Sequence, residues 1–177
     1  MKKNSIDYGW LIKIVIISFT ISVAFSFVSE MTIPKFNIIL GIAICLIFII
    51  IGILFDMIGV SVTASDPGIF NSMASQKIRG AKLAVKFKKN ADKVSSFCND
   101  VVGDICGIVS GSAGAVIALR ISQIVNVDPL LVTLLVTGLI SAITIGGKAL
   151  VKNRAIKNSN VILHRFTKFL SIFYRSR

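Results

Sequence analysis

Residues 37–60 read NIILGIAICLIFIIIGILFDMIGV, a run of 24 residues with a single charged side chain, Asp56. About 17 to 25 helical residues cross a hydrocarbon core about 30 Å thick, so this run is a membrane span. Three further stretches have a suitable length and composition, at residues 10–28, 97–119 and 130–147. The whole chain agrees with them. Of its 177 residues 54% are hydrophobic and 16% charged, more apolar surface than one small soluble domain can bury. The expected fold is an all-α integral membrane protein: four transmembrane helices with amphipathic helices on the cytoplasmic side. Residues 1–147 form the transmembrane domain, including an amphipathic loop at 64–94, and residues 148–177 form a basic amphipathic tail. Lys2 and Lys3 precede the first apolar run, as in a signal peptide. That run exceeds the usual core of about 7 to 15 residues and no clean cleavage site follows it, so it reads as a retained helix.

The net charge of +12 is unevenly spread. Basic residues fall at Lys2 and Lys3, in the loop from Lys77 to Lys93, and after Lys148, whereas the connections near 30–35 and 120–128 are close to neutral. This alternation is the positive-inside pattern, which predicts a multi-pass protein of the cell membrane with both termini and the long loop in the cytoplasm. Nucleic acid is not an expected partner, because no aromatic residues are interleaved with the lysines for base stacking.

Within the loop, Ser65 or Asp66 before Pro67 signals a helix start. Leu83, Phe87 and Val94 then oppose a lysine-rich face. The tail interleaves Ile156, Ile162, Leu163, Phe166, Phe169, Leu170 and Phe173 with Arg154, Lys157, Arg165, Lys168 and Arg175. Both stretches read as basic helices at a surface of anionic lipid, with Lys82, Lys86, Lys89, Arg165 and Lys168 facing the headgroups. A helix that docks a partner is the alternative for the tail. Cys45, Cys98 and Cys106 lie within spans without metal-ligand spacing and read as packed apolar side chains. His164 reads as a surface residue.

The third span begins FCNDVVGDICGIVSGSAG, residues 97–114. At about 100° per residue Asp100, Asp104, Gly107 and Gly111 share one stripe, with Gly103 and Gly114 at its edges. Small residues at this spacing let helices approach closely, so the stripe is expected to face protein, with a homodimer as one outcome. Asp56 shares a second stripe with Gly52, Gly59 and Thr63. A carboxylate at the centre of a bilayer costs about 2.5 to 3.5 kcal/mol on insertion scales, and such residues pair, protonate or line an ion route. No basic residue lies within the second or third span; Lys13 and Arg120 are the nearest candidates. Two readings of the acids stand: a solvated rim at the cytoplasmic interface, or a cation site. For the second, Asp56, Asn99, Asp100 and Asp104, with Ser61 or Thr63, form a set of hard oxygen donors suited to Mg²⁺, with other hard cations also compatible.

The segment ILFDMIGVSVTASDP, the loop GAKLAVKFKKNADKVSS and the entry FCNDVVGDI resemble the transmembrane domain of the CNNM/CorC family of magnesium transporters over about residues 50–110. Phe55, Asp66 and Pro67 match the family's span-end motif. Gly80, Ala81 and Lys82 match its loop motif, with Asn90 and Asp92 at the loop's end, and Asn99 matches the asparagine of its next span. The departures are Asp56 in place of a serine, Gly59 in place of a liganding asparagine or glutamate, Cys98 in place of a glycine and Gly103 in place of an asparagine. The resemblance implies a divalent cation transporter or a transporter-like membrane domain using intramembrane carboxylates, with Mg²⁺ as the ion. The alternative is a non-transporting scaffold or regulatory subunit whose acids and glycines serve assembly. An enzyme is not expected, since neither a phosphate-binding glycine loop nor a histidine base beside a nucleophile occurs.

Overall fold

The computed structural model describes residues 8–32 and 37–173, and its regular structure there is helical throughout. In chain order the elements are α1 (Tyr8–Thr32), α2 (Ile38–Ala64), α3 (Pro67–Ser75), α4 (Ala81–Lys89), α5 (Ala91–Ser96), a π-helical segment (Phe97–Gly103), α6 (Asp104–Val125), α7 (Pro129–Lys157) and α8 (Ser159–Phe173). Four stretches are long and apolar enough to cross a membrane: Tyr8–Val28, Ile38–Ala64, Ala91–Val125 and Pro129–Lys157. Each contains its sequence-predicted span or most of it. The fourth runs ten residues beyond the predicted end at residue 147, so the basic tail begins inside α7.

Two of the helix starts follow from Asp-Pro pairs. Asp66 Oδ1 accepts the Gly68 N–H at 2.8 Å with Pro67 in the first turn, as the sequence predicts. Asp128 Oδ1 accepts the Leu130 N–H at 2.8 Å ahead of α7, and there Pro129 opens the helix. A short acceptor before a proline satisfies a donor that the first turn leaves free.

The long helices alternate in direction. Lys93 lies over the Trp10 ring at 5.7 Å, placing the start of α1 beside α5. Near the other helix ends, Ser61 Oγ of α2 donates to the Ala155 carbonyl of α7 at 3.3 Å, so α2 and α7 finish together. Close backbone approach rests on α2 and α7 glycines. A Cβ at Gly52 would lie 3.0 Å from Cys106 Cβ, and one at Gly147 would strike Ile53. Gly114 of α6 lies under Ile140 in the same way. Between them Cys45, Ile49, Ala113 and Ile117 form one core, while Val101, Ile105 and Val109 form another against Ile14, Ile21 and Phe48.

A third core holds the short helices. Ile58 and Val62 of α2 pack with Phe70, Ala84, Cys98 and Leu163, and Phe55 and Phe87 both meet Phe166 edge-on or tilted. The expected amphipathic loop therefore holds three helices, α3, α4 and α5, the last two separated at Asn90, and α4 packs against α3 and α8. The tail helix likewise has its inner face covered by its own chain, with Leu163 and Thr167 fully buried. Lys88, within the basic loop, donates to the Val62 and Thr63 carbonyls at 3.0 and 2.7 Å. It caps the C-terminus of α2, where a cation also meets the negative end of the helix dipole. His164 is half-buried rather than on the surface, and its Nδ1 is fully enclosed. Arg175 lies outside the described residues.

Candidate functional site

The last turns of α2 bring Asp56 and Gly59 onto one face, three residues apart. Gly59 is buried and has a neighbour in the space a side chain would take: any Cβ there would collide with Asn99 Oδ1. Asn99 sits in the π-helical segment, where the chain is wider than an α-helix, a distortion that recurs at functional sites. Its Nδ2 reaches Ser95 Oγ at 3.4 Å. Its Oδ1 is enclosed and accepts no hydrogen bond, an arrangement that costs about 1 to 3 kcal/mol for a buried polar atom.

Asp56 has a partner that the sequence did not reveal. Lys148 Nζ of α7 lies 3.5 Å from Asp56 Oδ1, and the lysine and aspartate side chains are 27% and 17% exposed respectively. The same ammonium lies 3.5 Å from where a Cβ on Gly103 would stand, so Lys148 threads between α2 and the π-helical segment. The expectation that no nearby cation neutralises Asp56 fails because a span ending at Gly147 stops one residue short. α7 continues to Lys157, so Lys148 still projects into the bundle instead of into a tail.

The other expected ligands do not join this pair. Asp100 and Asp104 are exposed, and among the described residues no three His, Cys, Asp or Glu side chains come close enough to hold a metal ion. A Cβ added at Gly107 or Gly111 would have nothing within 4 Å. Thus the Asp100–Gly111 stripe points outward from the single chain, contrary to the expectation that it faces protein within it. The side of this stretch that packs is the apolar one, Val101, Ile105 and Val109 against Ile14, Ile21 and Phe48, which leaves the two aspartates on the other side. Gly103 is buried and Gly114 is closely packed, so only the edges of the stripe meet this chain. Ser61 is buried, but its hydroxyl also donates to the Met57 carbonyl at 2.8 Å. Thr63 is exposed and donates to the Val60 carbonyl at 2.9 Å. The residues expected at the lipid surface, Lys82, Lys86, Lys89, Arg165 and Lys168, are all exposed.

Helix rise puts the charges at a common level. From Ile38 to Asp56, and from Pro129 to Lys148, the chain climbs about 27 to 29 Å at 1.5 Å per residue, and Asp104 stands about 32 Å from the far end of α6. These lengths equal the thickness of a hydrocarbon core, about 30 Å. The site therefore stands about one hydrocarbon-core thickness from the opposite helix ends, on the side of the short helices.

The fold thus defines a helical bundle with four helices able to cross a membrane, carrying at one end the Asp56–Lys148 ion pair and, against Gly59 one turn along α2, the enclosed Asn99 amide. In comparison with known proteins, no family model matches the chain, and no curated protein or solved structure matches it.

Proposed function

We propose that this chain is a divalent cation transporter, or a transporter-like domain, of the membrane, with Mg²⁺ as the ion and Asp56 and Asn99 as the groups that receive it. The enclosed, unpartnered Asn99 Oδ1, set against Gly59 one turn of α2 from Asp56, carries this reading. A hard cation takes amide and carboxylate oxygens, and Mg²⁺ keeps several of its waters, so two protein ligands suffice. The likeness to the CNNM/CorC family supports it further, since Gly59, at a family ligand position, touches Asn99. In this chain the glycine leaves room for the amide in place of supplying an oxygen itself.

Asp100 and Asp104 act at the cytoplasmic mouth, where exposed carboxylates raise the local cation concentration. Their stripe with Gly107 and Gly111 is open to a second copy, so the proposed assembly is a homodimer. Purified chain in liposomes containing a Mg²⁺-sensitive dye tests the function. The parent is expected to pass Mg²⁺, Asp56→Asn to lower the rate about tenfold or more, and Asp100→Asn with Asp104→Asn to lower it less.

A second reading, a non-transporting scaffold or regulatory subunit, is favoured by the Asp56–Lys148 pair, which neutralises the carboxylate without any ion. Parent liposomes that hold their Mg²⁺ gradient while the chain stays folded would support it.

A further inference from the structure

We infer a discrete binding site for the phosphate headgroup of an anionic phospholipid between α8 and the α3–α4 connection. A cavity of about 260 Å³ is lined by Arg79, Arg165, Lys168, Phe169 and Ile172. Its three cations come from two separate parts of the chain, and a particular backbone feature brings them together. Gly80 adopts φ +85°, and a Cβ there would lie 2.7 Å from the Lys168 amide nitrogen and 2.8 Å from its Cα. Only glycine permits both that conformation and that approach. The contact seats the α3–α4 connection on the backbone of α8 and delivers Arg79 beside Arg165 and Lys168.

Among the described residues no carboxylate pairs with any of the three. Like charges held around one cavity repel, and a bound anion turns that repulsion into attraction. Phosphate is the matching anion, since a guanidinium presents paired donors to two of its oxygens. The source is a lipid, because the remaining walls are apolar and open: Phe169 is 58% and Ile172 59% exposed, with Val161 at 53% also on the outer surface of α8. The inner side of that helix is already filled by Leu163 and Thr167. An exposed phenyl ring and isoleucine beside three cations suit a phosphate joined to a glycerol backbone and acyl chains, and they lack the polar surround of a free-phosphate site.

The inference rests on the membrane placement in the proposed function and is independent of cation transport. The full chain in neutral detergent, titrated with phosphatidylglycerol and followed by native mass spectrometry and melting, tests it. One phosphatidylglycerol should be retained saturably with a rise in melting temperature. Arg165→Gln with Lys168→Gln should weaken retention about tenfold, while Lys13→Gln with Lys152→Gln, the same charge removed elsewhere, should leave it within about twofold. Arg79→Gln, which leaves α8 intact, should weaken retention by itself if the double variant fails to fold. Equal losses in the two double variants would mean diffuse attraction and overturn the site. Equal retention of phosphatidylcholine, or saturation by inorganic phosphate alone, would overturn it as well. Failure to retain phosphatidylglycerol would overturn the site, whereas a chain that stays monodisperse in buffer without detergent would contradict the membrane placement.

Discussion

At the scale of single residues the central features are the Asp56–Lys148 pair and the Asn99 amide set against Gly59, one turn of α2 from Asp56. An ion pair at 3.5 Å with both side chains partly exposed contributes modestly, because water still screens it. Lys148→Gln is expected to lower stability by about 1 kcal/mol, and the double variant with Asp56→Asn to recover most of that loss. Chemical denaturation of the four proteins in mixed micelles checks this, and additive losses would mean the pair does not interact. The same substitution should strengthen any Mg²⁺ effect, since it removes the amine that competes for the carboxylate. Asp56 was legible in the sequence as an acid needing a partner, because a lone charge in an apolar run is conspicuous. Its partner was not, since Lys148 sits where hydropathy falls and a basic tail begins, and helix continuation cannot be read from hydropathy. The missing hydrogen bond at Asn99 was invisible for a different reason: asparagine is unremarkable until its surroundings are known.

At the scale of elements, the spans and the Asp66–Pro67 helix start could be read directly, since they depend on local composition and local hydrogen bonds. Which glycines pack could not, because spacing defines a face without saying what covers it. Gly107 and Gly111 lie open, whereas Gly52, Gly59, Gly114 and Gly147 meet neighbours. Two predictions separate these classes. Gly59→Ala should cost about 2 kcal/mol through its collision with Asn99, and Asn99→Ala introduced alongside should recover part of the loss; melting curves in detergent decide. Gly107→Leu should leave the melting temperature of the monomer unchanged and act only on association, measured by light scattering of the protein–detergent complex. A fall in monomer stability would show that α6 packs through that stripe within one chain.

At the scale of the whole molecule, the short helices are part of the folded body. α8 closes the core formed by Phe55, Val62, Ala84 and Leu163. Leu163→Ala should therefore destabilise by about 2 to 4 kcal/mol, whereas a tail lying free on lipid would tolerate it; thermal melting distinguishes the two. The tail's amphipathic pattern was plain from the sequence, but the same pattern fits lipid, a partner or the chain's own bundle, and only tertiary packing chooses among them. The proposed placement also puts α4, α8 and both termini on the cytoplasmic side, so a cysteine introduced at Lys82 should resist impermeant reagents in intact cells. The most direct test of the cation site is the melting temperature of the purified full chain as Mg²⁺ is added, because a ligand bound only by the native state stabilises it by mass action. The parent should melt several degrees higher in saturating Mg²⁺, and Asp56→Asn and Asn99→Leu should each abolish most of that shift while remaining folded without the ion. An unchanged shift in both variants, or no shift in the parent, would contradict a cation site at Asp56 and Asn99.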